Sequence, residues 1–241
     1  INECAGVCPA EVPSEYDFGI GKRKAIYIPY PQAVPLVACI DPKACIGCAR
    51  CVEACPAQAV KLDQEPQDFK LNVGAIIVAT GWQPFDATRK EEYGFGRYRD
   101  VITTLQMERM LNASGPTKGE VVRPSTGQIA KSIAFLQCVG SRDSTVGNLY
   151  CSRICCMASL KNAQLVKEKY PDTDITIHYI DIRASGEGYE EFYVRAQKLG
   201  INFVRARVSR IEEVEGELFL FFEDTLTGEM KRVKHDLAVL S

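Results

Sequence analysis

Cys45-Ile-Gly-Cys48-Ala-Arg-Cys51-Val-Glu-Ala-Cys55-Pro56 constrains this chain more than any other stretch, because thiols packed this densely leave little room for an ordinary apolar core around them. The spacing C-x2-C-x2-C-x3-C-P lets the first three thiolates wrap one [4Fe–4S] cube and sends the fourth to a second cube, as in two-cluster bacterial ferredoxins. Gly47 lets the backbone come close to a cube, and Pro56 turns the chain away from it. The opening Cys4-Ala-Gly-Val-Cys8-Pro9 repeats the tail of that run. This predicts that Cys8 completes the set of Cys45, Cys48 and Cys51. Cys4 and Cys55 then serve a second cube whose other two ligands would precede Ile1. The competing reading makes Cys4 and Cys8 unrelated thiols.

Eleven cysteines occur in 241 residues, the others being Cys39, Cys138, Cys151, Cys155 and Cys156. A secreted disulfide scaffold would use cysteines this freely, but such scaffolds are short and poor in core, whereas 46% of this chain is apolar. Metal ligation in a reducing, cytoplasmic compartment fits better. With His178 and His235 the only histidines, thiolate sulfur is the default ligand. Cys39 fits neither set and reads as an ordinary buried thiol, with an alternate ligand as the second choice. A formal net charge of −2 without long single-sign blocks argues against nucleic acid as a partner. The longest apolar stretch, around Val73 to Thr80, is far too short to span a membrane.

Four segments follow from the pattern. Residues 1–66 form a partial ferredoxin-like domain held by its clusters more than by apolar burial. Residues 67–128 hold an apolar strand, Val73-Gly-Ala-Ile-Ile-Val-Ala-Thr-Gly81, expected at the centre of an α/β sheet whose other strands lie elsewhere in a longer chain, and then a connector. The connector carries one helix, Thr103 to Leu111, begun by a threonine cap and stopped before Gly115-Pro116. Residues 129–236 predict strands at 133–138, 175–180 and 202–206. Between them come helices from Ser152 to Lys169, with Ser152 as a possible cap, and from Tyr189 to Leu199; a hairpin turns at Asp224–Gly228. Residues 237–241 would begin a return to the preceding sheet.

Cys138 closes a predicted strand, and Cys151, Cys155 and Cys156 open the next helix, so the turn gathers all four at the end of the sheet where open α/β folds bind ligands. Cys151 and Cys155 would share a helix face if both were helical. Such a set can hold a cube, a zinc ion, or a redox-active vicinal pair at Cys155/Cys156. Arg142, Arg153 and the N–H groups of the helix start would offset its charge; otherwise Arg153 is simply a solvated helix residue. Lys161 could project toward a bound cofactor. The turn Cys138-Val-Gly-Ser-Arg-Asp143 lacks G-x-G-x-x-G, which argues against a nicotinamide nucleotide here.

Together with Gln32-Ala-Val-Pro35, Gly74–Gly81, Gly115-Pro-Thr117, Arg123-Pro-Ser125, Asp181-Ile-Arg-Ala184 and Gly188-Tyr-Glu-Glu-Phe-Tyr193, these motifs make the chain resemble an internal portion of the A subunit of heterodisulfide reductase. The related quinone-interacting oxidoreductase of sulfate reducers supplies the nearest rival. The resemblance implies an α/β, thioredoxin-reductase-like flavoprotein with an inserted two-cluster ferredoxin domain, and a further [4Fe–4S] cluster on Cys138, Cys151, Cys155 and Cys156. It implies FAD passing Ala79, Thr80 and Gly81, and Lys161 near the flavin in a catalytic role. Electron transfer or bifurcation between ferredoxin and a heterodisulfide, as in anaerobic methanogenesis, would be the activity. Partners would be the other subunits of such a complex and a ferredoxin, hydrogenase or dehydrogenase donor, in a homo-oligomer of heteromers. Two departures stand out. Gly186-Glu187-Gly188 lacks the lysine often found between these glycines, and no amino-terminal G-x-G-x-x-G for the FAD pyrophosphate is present in the sequence.

Overall fold

The computed structural model describes residues 2–241, in two compact units, Ile1–Pro84 and Phe85–Ser241. In the first unit, regular structure comes in fragments: α1 (Glu3–Gly6), β1 (Glu11–Pro13), β2 (Lys22–Lys24), β3 (Ile26–Tyr27), β4 (Cys39–Ile40) and α2 (Arg50–Glu53). β1 pairs antiparallel with β2, and β3 with β4. Both helices are single turns entered from left-handed residues, Asn2 (φ 85°) and Ala49 (φ 56°), with no capping side chain. Among the described residues of this unit, the buried apolar side chains are Ala25, Ile26 and Ala33. Burial on that scale cannot offset the ordering of some eighty residues at about 1–2 kcal/mol each. Ion pairing helps locally, since Arg23 donates to Glu15 (2.6 Å) and Asp41 (2.8 Å) and its guanidinium lies over the Tyr27 ring.

The apolar stretch 73–81, whose sheet neighbours are expected elsewhere in a longer chain, is not a strand among the described residues. It is irregular, with a bend at Gly74, it pairs with no described strand, and Ile76, Ile77 and Val78 are 81%, 91% and 78% exposed. A central parallel strand needs a hydrogen-bonded neighbour on each edge and cover on both faces. No described strand supplies these, so a sequence with strand propensity stays unpaired. Cys39 departs from expectation: it is exposed on β4 rather than buried.

The second unit is built on a five-stranded parallel sheet, to which the elements β5 (Val101–Thr103), α3 (Thr104–Leu111), β6 (Ser132–Leu136), α4 (Cys155–Lys169), β7 (Asp174–Tyr179), α5 (Tyr189–Lys198) and β8 (Asn202–Arg205) contribute. After them come β9 (Val208–Val214), β10 (Glu217–Asp224), β11 (Glu229–His235) and β12 (Leu237–Leu240). The sheet order is β5-β12-β6-β7-β8, while β11-β10-β9 form a separate antiparallel sheet. The Thr103 hydroxyl accepts from Gln106 N–H (3.3 Å) and the Gln106 side chain accepts from Thr103 N–H (2.9 Å), a capping box that starts α3. The expected hairpin closes at Gly228 (φ 72°), whose N–H donates to the Asp224 carbonyl.

Alternation along β10 turns Leu218, Leu220 and Phe222 inward, where they meet Val101, Ala134, Leu136, Ala238 and Leu240 of the parallel sheet. Phe219 and Phe221 face the other way, with Arg232 3.8 Å over the first ring and Arg210 3.9 Å over the second. His178 and His235 are buried between the sheets with ring centroids 6.3 Å apart, His178 set edge-on to Phe222. β12 differs from the return expected at 237–241: all four of its residues are buried, and it runs parallel between β5 and β6. The segment read as connector likewise supplies β5 and α3 to this unit rather than ending outside it.

Candidate metal centres

The two-cluster spacing has a physical counterpart in the first unit. Cys8, Cys45, Cys48 and Cys51 line one cavity together with the apolar Ile26 and Ile40, the four thiols expected around one cube. The chain folds this way locally because Gly47 (φ 71°) and Ala49 (φ 56°) take left-handed backbone, curling the loop around the cavity. The Cys45 N–H donates to the Asp41 carbonyl (2.9 Å), which anchors the loop's start to β4. Burial acts to raise the Cys8 thiol, but hydrogen bonds with the backbone at Ile26, Ala10 and Ala25 outweigh it and hold that thiol below its ordinary value. Burial pushes the Cys51 thiol up.

Cys55 does not line that cavity. It lies just past α2, where the Ala59 N–H donates to its sulfur (3.3 Å) and, with neighbouring backbone N–H groups, lowers its pKa. Cys4 sits in α1, which packs beside α2. Among the described residues, no three or more His, Cys, Asp or Glu side chains are arranged to hold a single metal ion. Four thiols on one cavity can take a cube or a tetrahedral zinc ion, and the C-x2-C-x2-C spacing with Cys8 as fourth favours the cube.

In the second unit, Cys138 follows β6, and Cys155 and Cys156 open α4. All three are buried, with Cys138 and Cys156 beside Cys155. Bonds from Cys138 and Cys156 stabilise the Cys155 thiolate and lower its pKa, while the same contacts and burial push Cys138 and Cys156 up. Cys151 approaches Cys138 but stays half-buried in a loop whose neighbours Leu149 and Tyr150 are exposed. Contrary to expectation, Cys151 is not helical and shares no helix face with Cys155. Ser152 is not the cap, α4 being entered from Ile154 without a capping side chain, and Arg153 precedes the helix at φ 62°.

Strain concentrates here: Cys138 (φ 62°), Arg142 (φ 52°) and Arg153 (φ 62°) are all left-handed without being glycine. Each such residue costs on the order of 1–3 kcal/mol and persists only where its surroundings fix it. Much of the fixing comes from Asp143, 4% exposed, which accepts from Lys90 Nζ (2.9 Å), Arg207 Nη2 (2.6 Å) and the Thr145 hydroxyl (2.6 Å). Those hydrogen bonds hold the Asp143 carboxyl well below the usual carboxylate range. Gly140 (φ 75°) adds a close approach, since a Cβ there would fall 2.2 Å from the Phe85 ring. Gly140→Ala is expected to cost about 1–3 kcal/mol in thermal unfolding, and Phe85→Leu to restore part of the loss.

Sequence reasoning missed Asp181 and Arg183, which reach the site from beyond β7. The Asp181 carbonyl accepts from Cys156 Sγ (3.8 Å), and its carboxylate binds Arg142 Nη1 (2.7 Å) and Arg183 Nε (3.3 Å). The only available signal was the Asp181-Ile-Arg-Ala184 motif at a strand end. Lys161 stands apart from the thiols' hydrogen-bond network, on the exposed side of α4, paired with Glu108 of α3 at 2.8 Å. Glu108 too was missed.

Residues 37–81 match the family model described as "4Fe-4S dicluster domain". Sequence motif and fold together thus define an α/β iron–sulfur protein of the electron-transferring kind. The chain is 58% identical, over its whole length and 30% of the relative's, to the A subunit of the Ferredoxin/F(420)H(2)-dependent CoB-CoM heterodisulfide reductase of Methanosarcina acetivorans. It is 54% identical, over 98% of the chain and 36% of the relative, to the A subunit of the H(2):CoB-CoM heterodisulfide,ferredoxin reductase of Methanothermobacter thermautotrophicus. Identity to the iron-sulfur A subunit of the CoB--CoM heterodisulfide reductase of Methanocaldococcus jannaschii is 55%, over 99% of the chain and 37% of the relative. The chain belongs to the family of heterodisulfide reductase A subunits, which are oxidoreductase components, and spans about a third of the length of these relatives. Among solved structures, the thioredoxin reductase of T. acidophilum matches at 13% identity and a TM-score of 0.34, covering 63% of this chain and 37% of that one, a likeness too slight to carry an argument. No described helix is long and apolar enough to cross a membrane.

Proposed function

We propose that the chain is the cluster-bearing segment of a cytoplasmic flavoprotein that moves electrons between ferredoxin and a heterodisulfide-type acceptor. The observation that carries the reading is the single cavity lined by Cys8, Cys45, Cys48 and Cys51, the set that the two-cluster spacing selects. Bound there, a [4Fe–4S] cluster supplies one-electron transfer. Cys4 and Cys55 would contribute to a second cluster, and Cys138, Cys151, Cys155 and Cys156 to a third. The residues fit that role: backbone N–H groups donate to Cys55 and Cys151 sulfurs at 3.3 Å each, and Arg142 and Arg183 offset thiolate charge.

The thioredoxin-reductase-like architecture, with FAD passing Ala79, Thr80 and Gly81, rests on the family. In its support, those residues are exposed and Gly81 takes left-handed backbone at φ 71°. The Glu108–Lys161 pair would then fix a cation on the surface that α3 and α4 share. Relatives named as A subunits of reductases of a heterodisulfide, with ferredoxin also in the name, support a complex with further subunits and an electron donor; bifurcation at the flavin and assembly as a homo-oligomer of heteromers are part of the same proposal and rest on the family.

Iron, acid-labile sulfide and flavin analysis of the anaerobically purified intact polypeptide tests this directly. The expected result is a yellow-brown protein with one FAD and iron and sulfide in equal amounts, bleached by dithionite. Full iron without flavin would reduce the protein to a cluster-only relay. Zinc in place of iron would end the reading.

A further inference from the structure

The four thiols of the second unit are unequal. Cys138, Cys155 and Cys156 are buried, whereas Cys151 is half-buried and rides an exposed loop. Cys151 also lines an open cleft with Arg153, Arg183, Ala184 and Ser185. Arg183 is half-exposed there and shares Asp181 with Arg142, while the Arg153 side chain has no ion pair or hydrogen bond among the described residues. Arg153 is left-handed (φ 62°), and its N–H donates to Cys151 Sγ (3.3 Å). Two arginines lining one cleft with a cysteine make it favourable to an incoming anion.

Taking the Cys138–Cys156 site as an iron–sulfur centre, as proposed above, we infer that Cys151 is its exchangeable ligand and that the cleft is an anion-binding mouth. Cys151 would be the ligand such a centre can release, its thiolate being protonated by solvent with no oxidant or reductant consumed, and Arg153 and Arg183 would draw a small monoanion to the cleft beside it. The three buried thiols hold the centre throughout.

The test uses the intact polypeptide, purified anaerobically, with cyanide at pH 8 as the probe. Cys151→Ala, or Cys151→Ser if the first folds poorly, is expected to keep the iron content of the unsubstituted protein, while Cys155→Ala loses about four iron atoms. Carbon-13 cyanide should give a hyperfine coupling in the electron paramagnetic resonance of the reduced Cys151→Ala protein. Adding Arg153→Gln and Arg183→Gln should raise the half-saturating cyanide concentration about fivefold, the scale of two partly screened charges. Iron loss in Cys151→Ala equal to that in Cys155→Ala overturns the inference, as does retained iron with a spectrum indifferent to cyanide. If the unsubstituted protein carries iron and sulfide only for the ferredoxin-type sites, the cluster reading of this centre fails and takes the inference with it.

Discussion

Cys8→Ala is expected to strip about four iron atoms and as many sulfides from the chain, because the three thiols left, Cys45, Cys48 and Cys51, are half-buried or exposed, unlike those of the second unit, and sit in a unit with almost no apolar core to retain a three-thiolate cube. Cys39→Ala should leave the iron content unchanged, since Cys39 is exposed on β4 and lines no part of the cavity. Cys4→Ala should spare the same cluster, since Cys4 does not face that space either. The effect reaches beyond metal content. With Ala25, Ile26 and Ala33 as the buried apolar side chains of this unit, cluster binding supplies folding free energy that nothing else there provides. Limited proteolysis should therefore cut the Cys8→Ala protein within residues 1–84 and spare 85–241. If Cys8→Ala keeps full iron while Cys4→Ala loses it, the pairing is reversed.

The second large effect is on acid stability. Burial, with a smaller contribution from the neighbouring His235, lowers the His178 pKa from 6.5 to about 3, and burial lowers that of His235 as well. Both His178 ring nitrogens lack partners among the described residues, as does Nε2 of His235, whose Nδ1 lies 2.8 Å from the Ser132 hydroxyl. Below pH 6.5 the unfolded chain takes up a proton that folded His178 refuses. Stability is thus full above 6.5 and falls as pH drops toward 3, by on the order of 1.4 kcal/mol per pH unit. Denaturant unfolding of the wild-type protein between pH 7.5 and 5 should show that slope, and His178→Leu should flatten it. An equal slope in both proteins would remove His178 as its source.

Local signals carried much of the second unit. The Thr103 cap, the Gly228 turn and the alternation of β10 are properties of adjacent residues, and the helices and strands they bound lie within a few residues of where the pattern puts them. What escaped was long-range. Nothing near Leu237 says that it will lie between β5 and β6, and nothing near Val73 says whether a neighbouring strand is at hand. In the first unit, the spacing names the thiols Cys8, Cys45, Cys48 and Cys51, and they do share one cavity. In the second, the pattern gathers the thiols correctly, but it cannot reveal that Cys151 stays outside the helix, nor that Asp181, Arg183 and Asp143 converge from distant segments. Those contacts depend on backbone strain and buried charge, which leave no periodic trace.

The position of β12 has a consequence for how the second unit forms. β5 and β6 do not pair with each other; each pairs with β12, more than a hundred residues after β5. During synthesis, β6, β7 and β8 can assemble with α4 and α5 as soon as they emerge. β5 and its capped helix α3, though made earlier, have no edge to join until β12 arrives. The earliest strand is thus among the last to be placed, and the loop that must close is a long one, a topology that folds slowly. In the interval, the edge of β6 is open to any strand that reaches it first.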